Sequence, residues 1–114
     1  DLLATKDAAQ IEEWVGHVSG TVLTGGHTHL QMLRQHRGRL LVNPGSVGMP
    51  FKEYVAGAAP EVLPFAEYAL VEATSDTASV NVSLQRVGLD KSALLKSVTA
   101  VAYPLGSFLA KAYA

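Results

Sequence analysis

The chain has no cysteine among its 114 residues. Disulfide frameworks, thiolate metal sites and cysteine nucleophiles are therefore excluded. The absence of cysteine fits the reducing cytoplasm, and we expect that location. The chain also lacks an apolar run of about 18 or more residues, so we expect no membrane partner and no membrane-spanning segment.

Charge is also scarce, because only 17% of the residues are Asp, Glu, Lys or Arg and the net charge is −1. The basic residues are scattered, apart from Arg34, Arg37 and Arg39 around one turn. This pattern lacks the clustered positive charge of a nucleic-acid surface, and we expect no nucleic-acid partner. Charges at the tip of a hairpin usually form only a solvated surface, and we interpret the three arginines in that way.

Apolar residues are abundant, at 48% of the chain. A domain of this size exposes much of its surface and normally carries more charge. The chain also begins at Asp1 rather than at Met. We therefore expect residues 1–114 to be part of a longer protein, with some elements packed against polypeptide outside the chain.

Two helices are predicted from capping residues and apolar spacing. Asp7 and Gln10 form a capping-box pattern before a helix that ends near Gly16. Asp90 is placed to cap a second helix over residues 91–102. Pro104 should end that helix and leave a short apolar tail. The apolar stripes of the two helices are Ala8, Ile11, Val15 and Val18 in the first, and Leu94, Leu95, Val98 and Val101 in the second.

Five strands are predicted between these helices. Residues 20–25 read as a short buried strand, and residues 30–43 read as a hairpin that turns at Gly38. The Asn43–Ser46 segment, Asn-Pro-Gly-Ser, predicts a type II turn with a structural role. An irregular surface connection over residues 52–64 precedes two further strands, which cover residues 65–74 and 79–89 and join near residues 75–78.

The chemistry is concentrated in Gly25-Gly26-His27-Thr28-His29, directly after the first strand. On an extended segment, residues i and i+2 point the same way and lie roughly 6.5–7 Å apart. Two such imidazoles suit either one clamped metal ion or two ions about 3.5–4 Å apart. The alternative without a function is a chance His-x-His pair in an exposed loop. The buried strand and the two glycines, which let a metal or phosphate approach the backbone, favour a metal site.

The remaining ligands are missing from this neighbourhood. The nearest carboxylates in sequence, Glu13 and Glu53, both lie far along the chain. Two imidazoles leave most positions on a metal ion unfilled. Either the other ligands come from polypeptide outside the chain, or the site is vestigial.

Gly26-His27-Thr28-His29, followed by a hairpin and Asn43-Pro44-Gly45-Ser46, resembles the C-terminal part of the calcineurin-like metallophosphoesterases. The likeness is to the small bacterial and archaeal phosphodiesterase branch, and it covers residues 1 to about 90. It implies an α/β (α+β) fold, as the C-terminal portion of a four-layer α-β-β-α sandwich. The earlier ligand motifs of the family, which include Asp-x-His and Asn-His elements, do not occur in this chain.

The resemblance also implies an activity. His27 would bind one divalent metal ion and His29 the other, with Mn, Fe, Ni, Zn or Mg as the candidates. A hydroxide that bridges the two ions would hydrolyse a phosphodiester or phosphomonoester of a small molecule. Gly26 and Thr28 would lie on the substrate side of the loop, and no catalytic acid or base is assigned within the chain. The 114 residues alone should then be inactive, because the missing N-terminal part of the protein holds the other ligands.

Two other functions stay open. The chain would be a non-catalytic scaffold or interaction module if the upstream ligands have been lost. A stand-alone protein with a single metal ion is disfavoured because no third ligand is in evidence. Thr28 is expected either to orient a histidine or to fill the strand. His17 and His36 are expected in solvent. Trp14 and Phe51 are expected to pack, and lining a cleft is the less favoured role for Phe51.

Overall fold

The computed structural model describes residues 5–75 and 79–114. Within these residues the fold is α+β, as predicted, with three helices, a three-stranded sheet and a two-stranded ribbon. None of the described helices has the length and apolar character needed to cross a membrane. In chain order the elements are α1 (Ala8–Val15), β1 (Val22–Thr24), β2 (Gln31–His36), β3 (Arg39–Pro44), β4 (Phe65–Ala73), β5 (Val80–Gly88), α2 (Lys91–Thr99) and α3 (Gly106–Tyr113).

Helix α1 begins with the predicted capping box. The Asp7 carboxylate accepts the Gln10 amide at 2.8 Å, and the Gln10 side chain accepts the Asp7 amide at 3.2 Å. Both bonds satisfy amides that lack a partner in the first helical turn. The helix ends at Val15, so the predicted apolar residue Val18 lies beyond it and is exposed.

The three-stranded sheet has the order β1–β3–β2. Strand β1 is parallel to β3, whereas β2 is antiparallel to β3 and joined to it by the predicted hairpin. The hairpin turns on Arg37 and Gly38, whose φ angles of 47° and 77° suit the tight turn that matches strand twist. The predicted buried strand is shorter than expected, and Val22 and Leu23 are only half-buried.

The topology places residues 25–30, called here the histidine loop, at one edge of this sheet. Strand β3 lies between β1 and β2, and β1 and β3 run in the same direction. Residues 25–30, which connect β1 to β2, must therefore cross over the carboxyl end of β3. This crossing brings the two histidines next to Asn43 and the turn that follows it.

The β4–β5 ribbon pairs antiparallel from Phe65 opposite Gly88 to Ala73 opposite Val80. Its predicted junction near residues 75–78 falls largely outside the described residues, as do the first four residues of the chain. Buried side chains form two separate clusters. One joins α1 to the sheet through Ile11, Met32 and Leu41, and the other joins α3 to Val62 through Leu109 and Tyr113.

Two predictions at the C-terminal end are wrong. Helix α2 has the expected Asp90 cap but ends at Thr99 rather than near residue 102, so Val101 is 63% exposed instead of forming part of the apolar stripe. The expected tail is helix α3, whose Leu109 and Tyr113 are buried. Pro104 precedes this helix and is compatible with its start. The first backbone amides of a helix have no carbonyl acceptor within the helix, so the amide that proline lacks is not needed there.

Candidate functional site

Asn43 holds the histidine loop in place at the carboxyl end of β3. Its side chain is fully buried, and its Nδ2 donates to Thr28 Oγ1 at 2.7 Å and, more weakly, to the Gly26 carbonyl at 3.5 Å. Its Oδ1 accepts the Gly45 amide at 3.1 Å. One amide side chain thus ties the loop to the Asn-Pro-Gly-Ser turn, which fits the structural role expected for that turn. Thr28 orients the loop through the same bond.

The two histidines do not lie on an extended segment, so the expected strand-like alternation at positions 27 and 29 is wrong. His27 has a φ of 77° and His29 a φ of 58°. A positive φ places Cβ of an L-residue against its own backbone and costs roughly 1–2 kcal/mol. Arg37 in the hairpin turn is the other such non-glycine residue in residues 5–75 and 79–114. The tight crossing over β3 imposes this geometry, and strain of this kind clusters at functional sites.

The imidazole ring of His29 is fixed by a hydrogen bond and by stacking. Its Nδ1 lies 2.8 Å from the Met49 carbonyl, which can only accept, so Nδ1 carries a proton and the neutral form of the ring has its lone pair on Nε2. The ring stacks on Phe51 with a centroid separation of 4.7 Å, and the His29 carbonyl accepts the Phe51 amide. A histidine that donates its second nitrogen to a carbonyl has a fixed tautomer and a fixed ring, as metal ligands do.

His27 is exposed and lines a cleft of about 350 Å³ together with Thr28. His29 is not among the residues that line this cleft, but its stacking partner Phe51 is. The structure therefore places His27 and Thr28 on the wall, and His29 contacts the wall through Phe51. Phe51 packs on His29, as expected, and also lines this cleft. The other lining residues are Glu53, Tyr54, Val55 and Pro60.

Glu53, which the sequence analysis set aside because it lies far along the chain, lines the same cleft as His27. It lies 26 positions after His27, and the connection over residues 52–64 has no regular pattern that places it. The signal available was its nearness in sequence to Phe51, which is tied to His29 by a backbone hydrogen bond of 3.0 Å.

The described residues do not form a complete metal site. The two imidazoles are suitable donors for divalent metal ions. Among residues 5–75 and 79–114, no group of three or more His, Asp or Glu side chains is arranged to hold one. A Cβ built at Gly26 would meet nothing within 4 Å in the described part of the chain, and its φ is not positive. The described fold therefore does not itself require a glycine at this position.

His36 and two arginines are not the solvated residues that we expected. His36 is buried, and its Nε2 lies 2.8 Å from Glu12 Oε2. This hydrogen bond, with the charges of Arg37, His36 and Arg39, lowers the pKa of the Glu12 carboxyl below its usual value. Arg39 donates to the Val15 and Val18 carbonyls, and Arg34 donates to the Lys6 carbonyl.

These contacts fasten α1 to the far end of the β2–β3 hairpin, at the opposite end from Asn43. Of the three hairpin arginines, Arg37 is the one that is exposed to solvent, with 69% of its side chain accessible. His17 is exposed, as expected, whereas Trp14 is 38% exposed instead of packed in the core.

No family model matches the chain, and no curated protein matches it. The likeness to metallophosphoesterases therefore rests on the two sequence motifs.

Proposed function

We propose that this chain supplies the histidine ligands of a dinuclear metal-dependent phosphoesterase that hydrolyses small-molecule phosphodiesters or phosphomonoesters. The observation that carries the proposal is the state of His29. Its Nδ1 is committed to the Met49 carbonyl, its ring is fixed on Phe51, and its backbone is strained. Non-glycine residues held at positive φ are concentrated at functional sites, which supports a functional role for His29.

Each residue of the loop has a distinct task in this proposal. His29 binds one divalent ion through Nε2, and His27 at the mouth of the cleft binds the other. Asn43 and Thr28 hold the loop over the end of β3, so that the two rings are positioned before ligands arrive. Gly26 leaves room for a phosphoryl oxygen near the backbone. When bound, the metal ions would supply Lewis-acid activation of water and of the phosphoryl group.

The remaining ligands come, in this proposal, from polypeptide outside the 114 residues. Two imidazoles are fewer than the three protein ligands of a usual catalytic site, and the described residues contribute no further group. The chain would then form the C-terminal portion of a four-layer α-β-β-α sandwich. Its many exposed apolar side chains, such as Leu70, Val71 and Val87, support packing against further layers.

The test compares the chain with the complete product of its gene. We expect no hydrolysis of bis(p-nitrophenyl) phosphate by the 114 residues with added Mn²⁺, and clear hydrolysis by the complete product. His27→Ala or His29→Ala in the complete product should lower kcat roughly 100-fold or more, because each removes a direct ligand. His17→Ala is the matched control, since His17 is exposed and outside the loop. Turnover by the chain alone, or a double mutant as active as wild type, contradicts the proposal.

A non-catalytic interaction module is the second candidate, favoured by the lack of a third ligand in the described residues and by the exposed apolar ribbon. Metal analysis of the complete product separates the two functions. About two bound divalent ions per chain support the enzyme. A metal-free protein that keeps its fold supports the module.

A further inference from the structure

The cleft beside His27 points to the class of substrate. We propose that residues 52–61, called here the apolar loop, bind the alcohol portion of the phosphoester, and that this alcohol is neutral and aromatic or similarly apolar. The inference rests on the proposed function, because it takes the phosphoryl group to lie at His27 and His29.

The apolar loop is fixed at its base, which aims its tip at the cleft. Phe51 and Val62 form an antiparallel bridge, and the Lys52 amide donates to the Glu61 carbonyl at 2.9 Å. The Lys52 ammonium also pairs with Glu61 Oε2 at 2.9 Å. Because Phe51 at this base is stacked on His29, the loop and the histidines belong to one arrangement.

The tip of the loop is apolar although it is exposed. Residues 54–60 read Tyr-Val-Ala-Gly-Ala-Ala-Pro, with no charged side chain, and Tyr54 is 63% exposed. Side chains of this kind, exposed beside the cleft, are available to contact an apolar ligand. Ligand sites have this chemistry, with apolar and aromatic walls around a few polar groups. Here the polar groups are those of the histidine loop.

The apolar wall continues beyond the first cleft. Phe51 and Pro60 also line a neighbouring hollow of about 320 Å³, whose remaining lining residues are Met49, Ala59, Leu105 and Phe108. All six residues are apolar. The two hollows together have room for a ring system, which is more than a methyl or ethyl ester would use.

The charges of the cleft oppose a second phosphate. Its lining residues in the described part of the chain include the Glu53 carboxylate but no Lys or Arg. The nearby Lys52 is engaged with Glu61. Phosphate groups are recognised by Lys and Arg, and a carboxylate repels them. Nucleoside polyphosphates, sugar bisphosphates and nucleic acid are therefore poor substrates for this cleft.

The experiment uses the complete gene product and follows phosphate release from benzyl phosphate, ethyl phosphate and 1,3-propanediol bisphosphate. Benzyl and ethyl alcohols are leaving groups of similar acidity, so their comparison reports binding of the ring. We expect kcat/KM for benzyl phosphate to exceed that for ethyl phosphate roughly tenfold or more, mainly through KM, from burial of the phenyl ring. The bisphosphate should have the lowest kcat/KM of the three esters.

Two loop variants and one control variant assign the effect to the loop. Tyr54→Ala should reduce the benzyl-to-ethyl ratio severalfold, whereas Tyr68→Ala, which alters an exposed tyrosine on β4, should keep it. Glu53→Lys should raise kcat/KM for the bisphosphate. If the gene product hydrolyses bis(p-nitrophenyl) phosphate but none of the three esters, this inference alone is overturned; if it hydrolyses neither the diester nor the three esters, the proposed function is overturned, and this inference with it. Equal kcat/KM for the benzyl and ethyl esters, or an unchanged ratio in Tyr54→Ala, overturns this inference alone and leaves the phosphoesterase standing.

Discussion

His27 has a strained backbone conformation, which should lower the stability of the chain. Glycine adopts a φ of 77° freely, whereas alanine and histidine do not. We expect His27→Gly to be more stable than His27→Ala by about 1 kcal/mol. Both variants lose the imidazole, so the difference isolates the backbone. Urea unfolding of the two variants measures it.

His17 supplies the control for this comparison, because it lies in the connection after α1 and its φ is not positive. His17→Gly should therefore be no more stable than His17→Ala. If glycine and alanine are equally stable at position 27, the loop is not strained and the argument from strain fails. The sequence placed both histidines in a candidate site, but it held no sign of their φ angles, which arise from the crossing over β3.

Gly45 has a second constraint besides its φ of 83°. A Cβ there would overlap Glu67 Oε2 and would lie 2.9 Å from Glu67 Cβ. Glu67 is buried and held by Arg86 at 2.6 Å, so its side chain cannot simply move away. Gly38 is the matched control, because it has a φ of 77° and an added Cβ would meet nothing within 4 Å in the described part of the chain.

We therefore expect Gly38→Ala to lower the free energy of unfolding by about 1–2 kcal/mol and Gly45→Ala by about 1–3 kcal/mol more. Thermal or urea unfolding gives both values. Equal losses would mean that the Glu67 carboxylate relaxes without cost. In that case the turn after Asn43 is not pressed against the ribbon, and its support of the histidine loop is weaker than the contacts indicate.

At the scale of elements, the junction between α1 and the β2–β3 hairpin should be sensitive to acid. The hydrogen bond from His36 is the main cause of the lowered Glu12 pKa, with Arg37 and Arg39 adding to it. A carboxyl whose pKa is lower in the folded state stabilises the fold above its unfolded pKa of about 4.5. That contribution is lost as the pH falls through the folded pKa.

Glu12→Gln should therefore lose less free energy of unfolding than the wild type as the pH falls from 6 to 3. Urea midpoints at several pH values measure the slope. Glu13→Gln, an exposed neighbour on the same helix, is the control and should leave the wild-type slope. Asp90, whose pKa is also lowered, by the Ala93 and Ser92 amides and the Ser92 hydroxyl, titrates in every variant and cancels in the comparison. A wild-type slope in Glu12→Gln would show that the junction contributes nothing to acid stability.

The elements that the sequence predicted well are those with local signals. Asp7 with Gln10, and Asp90 with Ser92, carry their caps within three residues, and Gly38 marks its turn. Helix α3 lacks such a signal, because Leu105 at its start makes no side-chain cap. Its formation depends on burial of Leu109 and Tyr113 against distant residues. The buried bond between His36 and Glu12 spans 24 positions and was unpredictable for the same reason.

At the scale of the whole molecule, the described chain is more extended than an independent domain. Its radius of gyration is 16.8 Å, whereas a compact domain of this length has about 13 Å. The two buried clusters lie at different elements and do not merge into one core. Both features agree with the proposal that the chain packs against further polypeptide.

The outer half of the β4–β5 ribbon is where this arrangement should be weakest. Register places Ala69, Val71, Val82 and Leu84 on one face, and none of the four is fully buried. An isolated pair of strands is marginally stable in water. By contrast, Leu41 and Val42 of β3 have no exposed surface and lie between two neighbouring strands.

We therefore expect hydrogen exchange in the 114-residue chain to be roughly tenfold or more faster at the paired amides of residues 69–73 and 80–84 than at residues 40–42. Exchange followed by NMR or mass spectrometry measures the difference. In the complete gene product the ribbon amides should slow towards the rate of β3, because the apolar face is then covered. Equal protection of the ribbon and β3 in the chain alone would mean that the ribbon is stable without a covering layer, which would remove the exposed ribbon as support for further polypeptide.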